Sequence, residues 1–428
     1  MSSSGINEYG AYLNRSVSFL RYYHIAALLL GVSLLTFGRH DPFMYLTWAV
    51  CGIVAYVVLS FVSISMKVGR LYLGVLIAMT AWMWYAIVIT PFVVHKDVHI
   101  NVVIMSFAYS LATVGLLAWL TKEISRFIRM IGMIIVAWVV AGFCYFVLFH
   151  MGVISYEERD FSAMYYNRNT LAVVGCFLLC IWLSFLPELR KSYPMGIGSI
   201  VIPALCILLI FSTFSTKGFI GVIIVLFAYG LRLYQGKRRA LMLSVFLAVA
   251  VLTFTIAGGG ALERVHKKWE GVATVVDSQF EDTTGRLFLI IDSLRIIKKS
   301  PLMGVGVYNS QYHLFTPRYW ILLQRGQLDS SEVGVGVYSH VNYLEMFLNG
   351  GVPAFLLYYL PLFLLFWRIV KARQVTPFGA RIRYMLISLL SLKLFFDIGM
   401  VSFESFIHIF VVATCFVFYG KFLCQKIA

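Results

Sequence analysis

The stretch SHVNYLEMFLNGGVPAFLLYYLPLFLLFW, residues 339–367, decides the fold class of this chain. It begins with polar residues and continues as an apolar run that is long enough to cross a hydrocarbon core about 30 Å thick as a helix. The run is continuously apolar, and it lacks the alternating pattern of a strand in a membrane barrel. The stretch therefore predicts a transmembrane helix with His340 and Asn342 at its N-terminal end.

Similar apolar runs recur along the whole chain. Of its 428 residues, 61% are hydrophobic and 13% are charged, whereas about a quarter of the residues in a soluble domain are charged. We predict an all-α polytopic integral membrane protein with about twelve transmembrane helices. The predicted spans are 21–37, 43–65, 71–90, 102–120, 128–149, 169–186, 197–214, 218–234, 240–257, 341–367, 384–401 and 404–420.

These spans divide the chain into three parts. Residues 1–257 hold the first nine helices, residues 258–340 form one large external loop, and residues 341–428 hold the last three helices. A loop of this length is usually functional or disordered. This one mixes charged residues with apolar and aromatic ones, and we expect it to fold.

One segment of the large loop, EDTTGRLFLIIDSLRIIKKSP, residues 281–301, predicts a helix that ends before Pro301. Such a helix would have one apolar face and would lie along the membrane surface. The large loop is therefore predicted to be partly helical. The residues of the predicted apolar face are Leu287, Ile290, Ile291, Leu294 and Ile297.

The formal net charge of +16 follows the predicted topology. Basic clusters fall on every second connection between spans, and the other short connections hold few basic residues. The positive-inside rule then places both termini in the cytoplasm and the large loop outside, in the periplasm of a Gram-negative cell. The charge is thus a topology signal, and it argues against a nucleic-acid partner.

The N-terminal sequence and the cysteines fit the same picture. The polar N-terminus runs directly into a full-length span, which predicts no cleavable signal peptide. Six of the seven cysteines fall in apolar runs, and the seventh falls in the predicted cytoplasmic tail. This placement predicts neither a disulfide framework nor a zinc framework.

His340 is the candidate catalytic residue. Ser339 is suited to cap the helix that follows, which would place His340 in or near its first turn. The positive end of the helix dipole would keep the imidazole neutral near pH 7, as a general base requires. Asn342 could orient the imidazole or a substrate hydroxyl. A histidine at the lipid–water boundary can also simply hydrogen-bond to its neighbours.

Lys217 is the first candidate for binding an anion. It lies in FSTFSTKGFIG, residues 211–221, between two apolar runs that are too close to be separated by a long loop. A cation at that depth must face a cavity or a partner, or it must snorkel to the surface. With Ser215 and other hydroxyls beside it, Lys217 resembles a phosphate-binding corner.

Two further sites suit an anion on the external side. Arg286 lies at the start of the predicted loop helix, where backbone N–H groups also point outward. The segment NRNTLA, residues 167–172, places Arg168 and Asn169 just outside the sixth span. Taken alone, an exposed arginine such as Arg286 could instead be a solvated charge, and NRNTLA could be another external anion contact.

The remaining ionisable residues predict no metal site. Lys393 and Asp397 are four residues apart in an apolar run, as are Glu404 and His408. We interpret both as internal ion pairs or hydrogen-bonded pairs, with a proton path as the alternative. No cluster of histidine, cysteine or carboxylate side chains has the spacing of metal ligands. The sequence therefore predicts a mechanism without a metal or another cofactor.

Taken together, these motifs resemble the O-antigen ligase and O-antigen polymerase family. In chain order they are NRNTLA, the STKG element, the TGR that opens the loop helix, P-x-x-G-V-G, and SHVNYLEMFLNGGVPAFLLYY. The resemblance covers residues 167–359, and its last motif is the most specific.

The resemblance implies a GT-C-like enzyme that uses undecaprenyl diphosphate as the leaving group without a metal. It implies that His340 deprotonates the acceptor hydroxyl, while Arg286 and Lys217 hold the diphosphate. The family usually has arginine where this chain has Lys217, so a bidentate grip on phosphate becomes a single charge.

The sequence therefore predicts a multi-pass glycosyltransferase of the bacterial inner membrane with a periplasmic active site. Our first hypothesis is an O-antigen or capsule-type polysaccharide polymerase. The second is an O-antigen ligase that transfers the polymer to lipid A-core, and the third is a polysaccharide transporter or flippase. The expected partners are the lipid-linked glycan donor, a glycan or lipid A-core acceptor, membrane lipids and a chain-length regulator protein.

Overall fold

The secondary structure of the chain is helical throughout the part that the structure describes. In the computed structural model no strand occurs within these residues, which agrees with the predicted all-α class. The predicted spans 21–37, 43–65 and 240–257 lie outside the described residues, and each of the other predicted spans overlaps a helix. The described residues are 70–121, 123–153, 168–192, 198–233, 283–314, 338–372, 376–403 and 405–424.

The described residues form ten α-helices and three short helical turns. The α-helices are α1 (Arg70–Ile89), α2 (Lys96–Leu120), α3 (Ile124–His150), α4 (Arg168–Ser192), α5 (Gly198–Ser212), α6 (Thr216–Leu233), α7 (Thr283–Lys299), α8 (Asn342–Lys371), α9 (Pro377–Phe396) and α10 (Phe406–Phe418). The short turns are two 3₁₀ turns, Thr90–Phe92 and Asn309–Tyr312, and a π turn, Tyr419–Leu423.

Six segments of the described residues are long and apolar enough to cross a membrane. The chain is therefore a membrane protein, and the total of about twelve spans and the external position of the large loop stay predictions. The six segments are Leu71–Phe92, Lys96–Leu117, Phe127–His150, Arg168–Lys191, Asn342–Lys371 and Phe406–Leu423.

The chain divides into two compact units, and the first includes residues 118–219. Here α3, α4 and α5 pack on one another, with α4 most deeply buried. Gly175 permits the close approach of α4 to α5, because a Cβ atom at this position would lie 2.6 Å from the Ile210 side chain. Phe127 of α3 meets Phe185 of α4 edge to face, at 6.0 Å between ring centroids.

The second unit comprises residues 66–117 and 220–428. Its helices α1, α8, α9 and α10 run between two opposite ends of the unit. At one end, the Tyr85 hydroxyl near the end of α1 donates to Leu302 O at 2.6 Å. At the other end, Gly420 after α10 lies directly against Leu71 at the start of α1.

The basic residues beside the α8–α9 connection and in the turn after α10 lie at the end of the second unit where α1 begins. Lys371 closes α8 and stacks over Trp367, with Nζ 4.1 Å from the ring centroid. Arg383 donates from Nε to Ile369 O at 3.2 Å, so it caps the last turn of α8. The connections at residues 300–314, 338–341 and 397–403 lie at the opposite end. The basic residues beside the α8–α9 connection and after α10 are therefore separated from the segment that carries His340.

Helix α9 differs from its prediction at both ends. It begins at Pro377 rather than at residue 384, because Thr376 accepts a hydrogen bond from Gly379 N at 3.0 Å and Pro377 suits the first helical position. It ends at Phe396 rather than at residue 401. Beyond that point the Asp397 carbonyl accepts from Asn342 N, at 2.8 Å, instead of continuing the helix.

Helix α7 occurs where it was predicted, but its buried face differs. Leu289 and Ser293 are buried, whereas Ile291 is 58% exposed and Leu294 is 52% exposed. The reason is that α7 packs on α8 through Leu289, so its position is set by tertiary contact as well as by its apolar stripe. The exposed Ile291 and Leu294 belong to the predicted apolar face, and its position along the membrane surface stays a prediction.

Candidate functional site

The loop before α8 holds His340 outside the helix. Helix α8 begins at Asn342 with Val341 at its N-cap, so the prediction that Ser339 caps it is wrong. His340 is half-buried, and its backbone is left-handed, with φ of 57°. Its ring lies 4.3 Å from the ring of Tyr338, measured between centroids. His340 therefore lies just before the first turn rather than in it.

Glu345 explains why Ser339 does not cap the helix. The Ser339 hydroxyl lies 2.8 Å from Glu345 Oε2 and 2.9 Å from Val341 O, and the Ser339 backbone N–H donates to Oε2 at 3.2 Å. The Ser310 hydroxyl donates to the other carboxylate oxygen of Glu345. Glu345 is 1% exposed. This buried carboxylate thus joins the loop before α8 to the loop that contains Ser310.

Asn342 fixes the other side of the His340 loop. Its Oδ1 accepts from Ser402 N at 2.9 Å and from Phe403 N at 3.1 Å. Its Nδ2 donates to the Tyr359 hydroxyl at 2.8 Å. Both ends of the Asn342 amide are therefore bound to protein groups in a fully buried position. Its orienting role toward the His340 ring or a substrate hydroxyl stays a prediction.

The predicted ion pair between Lys393 and Asp397 is present and fully buried. Lys393 Nζ lies 2.5 Å from Asp397 Oδ2 and donates to Ser402 Oγ at 2.9 Å. The Tyr359 hydroxyl donates to Asp397 Oδ2 at 2.9 Å. This pair belongs to the same network as Asn342. In the second predicted pair, residue 404 lies outside the described residues.

The loop at residues 300–314 docks on α8 where that helix is interrupted, because the backbone is not helical at Gly350 and Gly351. Val305 N donates to Leu348 O at 2.6 Å, and Val352 N donates to Pro301 O at 2.7 Å. These two bonds satisfy backbone groups that the break would otherwise leave unpaired. The motifs P-x-x-G-V-G and N-G-G-V-P are therefore the two halves of one backbone contact.

Glycines make this contact possible. Gly351 has φ of 67°, and a Cβ atom there would lie 2.4 Å from Pro301 O. Gly304 has φ of 63°, and its Cβ atom would lie 2.2 Å from Leu348 O. Both positions combine a left-handed backbone with the close approach of another backbone, which only glycine accepts without strain.

Arg286 lies in the first turn of α7, since that helix begins at Thr283. Farther along α7, Leu289 joins a buried cluster with Leu314 and with Leu348 of α8. The helix that carries Arg286 and the helix that follows His340 are thus packed on each other within the second unit.

The anion-site residues of the first unit come together at the start of two helices. Ser215 Oγ donates to Asn169 Oδ1 at 2.7 Å, which joins the segment before α6 to the first turn of α4. Ser215 Oγ also accepts from Gly218 N at 3.4 Å. Lys217 lies in this first turn of α6, and Arg168 begins α4. Two helix N-termini therefore meet here, an arrangement that favours an anion.

His99 is a fixed residue that the sequence analysis did not identify. It is fully buried, its Nδ1 accepts from Val307 N at 2.7 Å, and its Nε2 lies 2.8 Å from Ala86 O. These contacts assign the proton to Nε2 and leave the imidazole neutral. His99 therefore binds the 300–314 loop to α1 and α2. Its position directly before the predicted span 102–120 was the signal that could have identified it.

Comparison with known proteins gives one family for part of the chain. Residues 201–359 match a family model described as O-Antigen ligase. This segment is therefore similar to the O-antigen ligase family. The matched segment contains Lys217, Arg286 and His340, and it ends at Tyr359.

The match indicates an O-antigen ligase-type function and a glycosyltransferase-like activity in a membrane protein. None of the curated proteins compared with the chain matches it. Within the described residues, no group of three or more histidine, cysteine, aspartate or glutamate side chains could hold a metal ion.

Proposed function

We propose that this protein transfers a glycan from undecaprenyl diphosphate to a hydroxyl group on the periplasmic side of the inner membrane. The observation that carries the proposal is the setting of His340. Its half-buried imidazole lies in a loop that buried hydrogen bonds fix on both sides, within the segment that matches the family. A fixed and accessible imidazole suits a general base.

In the proposed reaction, the His340 imidazole accepts the proton of the acceptor hydroxyl. The acceptor oxygen attacks the anomeric carbon of the donor glycan and forms the new glycosidic bond. The bond from that carbon to the diphosphate oxygen breaks, and the diphosphate leaves on its lipid. Negative charge therefore develops on the leaving group, where cations and N–H groups would stabilise it.

We assign the diphosphate contacts to Lys217 and Arg286, with Arg168, Asn169 and Ser215 as supporting residues. The support for Lys217 is its place in the first turn of α6, beside the start of α4. The support for Arg286 is its place in the first turn of α7. Helix N-termini favour phosphate groups because their backbone N–H groups are unpaired.

The charge distribution of the second unit supports a periplasmic site. By the positive-inside rule, which is read from the short connections between spans, the end of the unit that holds the α8–α9 connection and the turn after α10 faces the cytoplasm. The His340 loop lies at the opposite end and would then face the periplasm. The basic residues at the first of these ends are Arg368, Lys371, Arg381, Arg383 and Lys421.

Two acceptors are candidates. Our first hypothesis is another lipid-linked repeat unit, which would make the protein an O-antigen or capsule-type polymerase, and the pattern H-x-N-Y-L-E at residues 340–345 favours it. The second is lipid A-core, which would make it a ligase, and the description of the matching family favours it. The same base and the same cations would serve both acceptors.

Deletion of the gene in the source bacterium, followed by lipopolysaccharide or capsule profiling, tests the proposal. Loss of long chains with single repeats still attached to core identifies a polymerase, whereas unattached polymer on the lipid carrier identifies a ligase. A gene encoding His340→Ala should fail to complement the deletion, although the protein inserts normally. An unchanged profile after deletion, or full complementation by His340→Ala, would refute the proposal.

A further inference from the structure

Two buried acidic residues anchor the His340 loop, one through its backbone and one through its side chain. On the C-terminal side, Asn342 N donates to the backbone carbonyl of Asp397. On the N-terminal side, Ser339 is bound to Glu345 through both its backbone and its hydroxyl. Between these two anchors, His340 adopts a left-handed backbone. That conformation is unfavourable for a non-glycine residue, so the surrounding contacts must maintain it.

Glu345 is an unusual residue for the beginning of an apolar helix. It is buried, and the hydrogen-bond partners that the described residues give it are the serines 310 and 339 rather than a cation. Burying a carboxyl group is unfavourable unless its oxygens are well bonded. Here one oxygen accepts from the 300–314 loop and the other accepts from the residue before His340. The carboxylate thus aligns these two segments with each other.

We propose that Glu345 is a positioning residue for the reaction at His340. It fixes the backbone of Ser339 and thereby the direction of the adjacent imidazole, and it holds that loop against Ser310. This inference rests on the proposed function, because it assumes that His340 takes the proton. Glu345 itself touches neither the donor nor the acceptor in this scheme.

The test uses full-length protein in detergent with undecaprenyl-diphosphate-linked glycan extracted from the deletion strain. Three variants are compared with the wild type after normalising for folded protein. Glu345→Ala removes all three hydrogen bonds. Glu345→Gln keeps an oxygen for Ser339 and offers an N–H group to Ser310 Oγ. Ser388→Ala is the control, because it removes a buried serine whose hydroxyl bonds only within α9.

We expect Glu345→Ala to lower kcat about 100-fold with KM for the donor within about twofold, because a misplaced base slows the chemical step without weakening donor binding. Glu345→Gln should remain within about tenfold of the wild-type kcat, and Ser388→Ala should be unchanged. A residue that only stabilises the fold would reduce the amount of folded protein and leave kcat per folded molecule unaltered.

An unchanged kcat in Glu345→Ala would overturn the inference, as would equal losses in the Ala and Gln variants. If Glu345→Ala does not fold, Ser310→Ala serves in its place, because it removes one bond to Glu345. That variant should lower kcat about tenfold, and an unchanged kcat would contradict the positioning role. His340→Ala is measured in parallel. Retained transfer in His340→Ala refutes the proposed function, whereas an inactive His340→Ala beside fully active Glu345 variants refutes this inference alone.

Discussion

Gly351→Ala should detach the 300–314 loop from α8. At φ of 67° an alanine costs about 1–2 kcal/mol relative to glycine. Its Cβ atom would also lie 2.4 Å from Pro301 O, a backbone atom that cannot rotate away. The loop must therefore move, which breaks the backbone hydrogen bonds at Val305 and Val352, each worth about 0.5–1.5 kcal/mol net. We expect a loss of about 2–5 kcal/mol in stability.

Gly74→Ala is the matched control for this prediction. Gly74 lies inside α1, and a Cβ atom there meets nothing within 4 Å. Alanine is favoured over glycine in a helix by about 1 kcal/mol, so this variant should be as stable as the wild type or more stable. The assay is the free energy of unfolding in detergent, together with amide hydrogen exchange at residues 301–314. If Gly351→Ala matched Gly74→Ala in stability and left that exchange unchanged, the steric explanation would be refuted.

Three further predictions concern charged and titratable residues. Lys393→Met should lower the free energy of unfolding by about 3–5 kcal/mol, because it leaves the buried Asp397 carboxylate without its cation. In a double-mutant cycle, adding Asp397→Asn should restore part of that loss, and additive losses would contradict the pairing. Burial and the nearby His95 lower the pKa of His313 in the folded protein. The neutral imidazole therefore supports the folded state fully at pH values above the ordinary histidine pKa near 6.5. This stabilisation is lost as the pH falls below that value. The hydrogen-exchange protection factors of residues 302–314, which correct for slower intrinsic exchange at low pH, should therefore fall as the pH is lowered from 7.5 to 5, and an equal fall in His313→Gln would contradict that cause. Lys217→Arg should keep KM for the donor within about threefold, whereas Lys217→Met should raise it about tenfold or more, and an unchanged KM in Lys217→Met would exclude the diphosphate contact.

Much of the fold was predictable because its signals are local. A continuous apolar run such as residues 341–367 specifies a helix by length and composition alone. The helix at residues 283–299 was predictable from its periodic pattern and from Pro301 after it. The C-terminal end of α9 was less predictable. The helix stops before Asp397 because the Asp397 carbonyl accepts a hydrogen bond from Asn342, 55 residues earlier in the chain.

The candidate site was predictable only in part, because its supporting contacts are distant in sequence. His340, Lys217 and Arg286 follow from residue type and motif. The role of Glu345 depends on Ser310, and the role of His99 depends on Val307, 208 residues later. The cap predicted at Ser339 failed for the same reason, since a buried carboxylate competes for its hydroxyl. A lone polar residue in an apolar run indicates that the side chain has a functional or structural contact, but it does not identify the residue that it contacts.

The most direct test of His340 as the general base is transfer by purified His340→Ala, with binding of the lipid-linked donor measured separately. We expect transfer to fall about 100-fold to 10,000-fold while donor affinity stays within about twofold, because removing a base slows proton transfer alone. Transfer within tenfold of the wild type would contradict the role of His340, as would a loss fully explained by weaker donor binding.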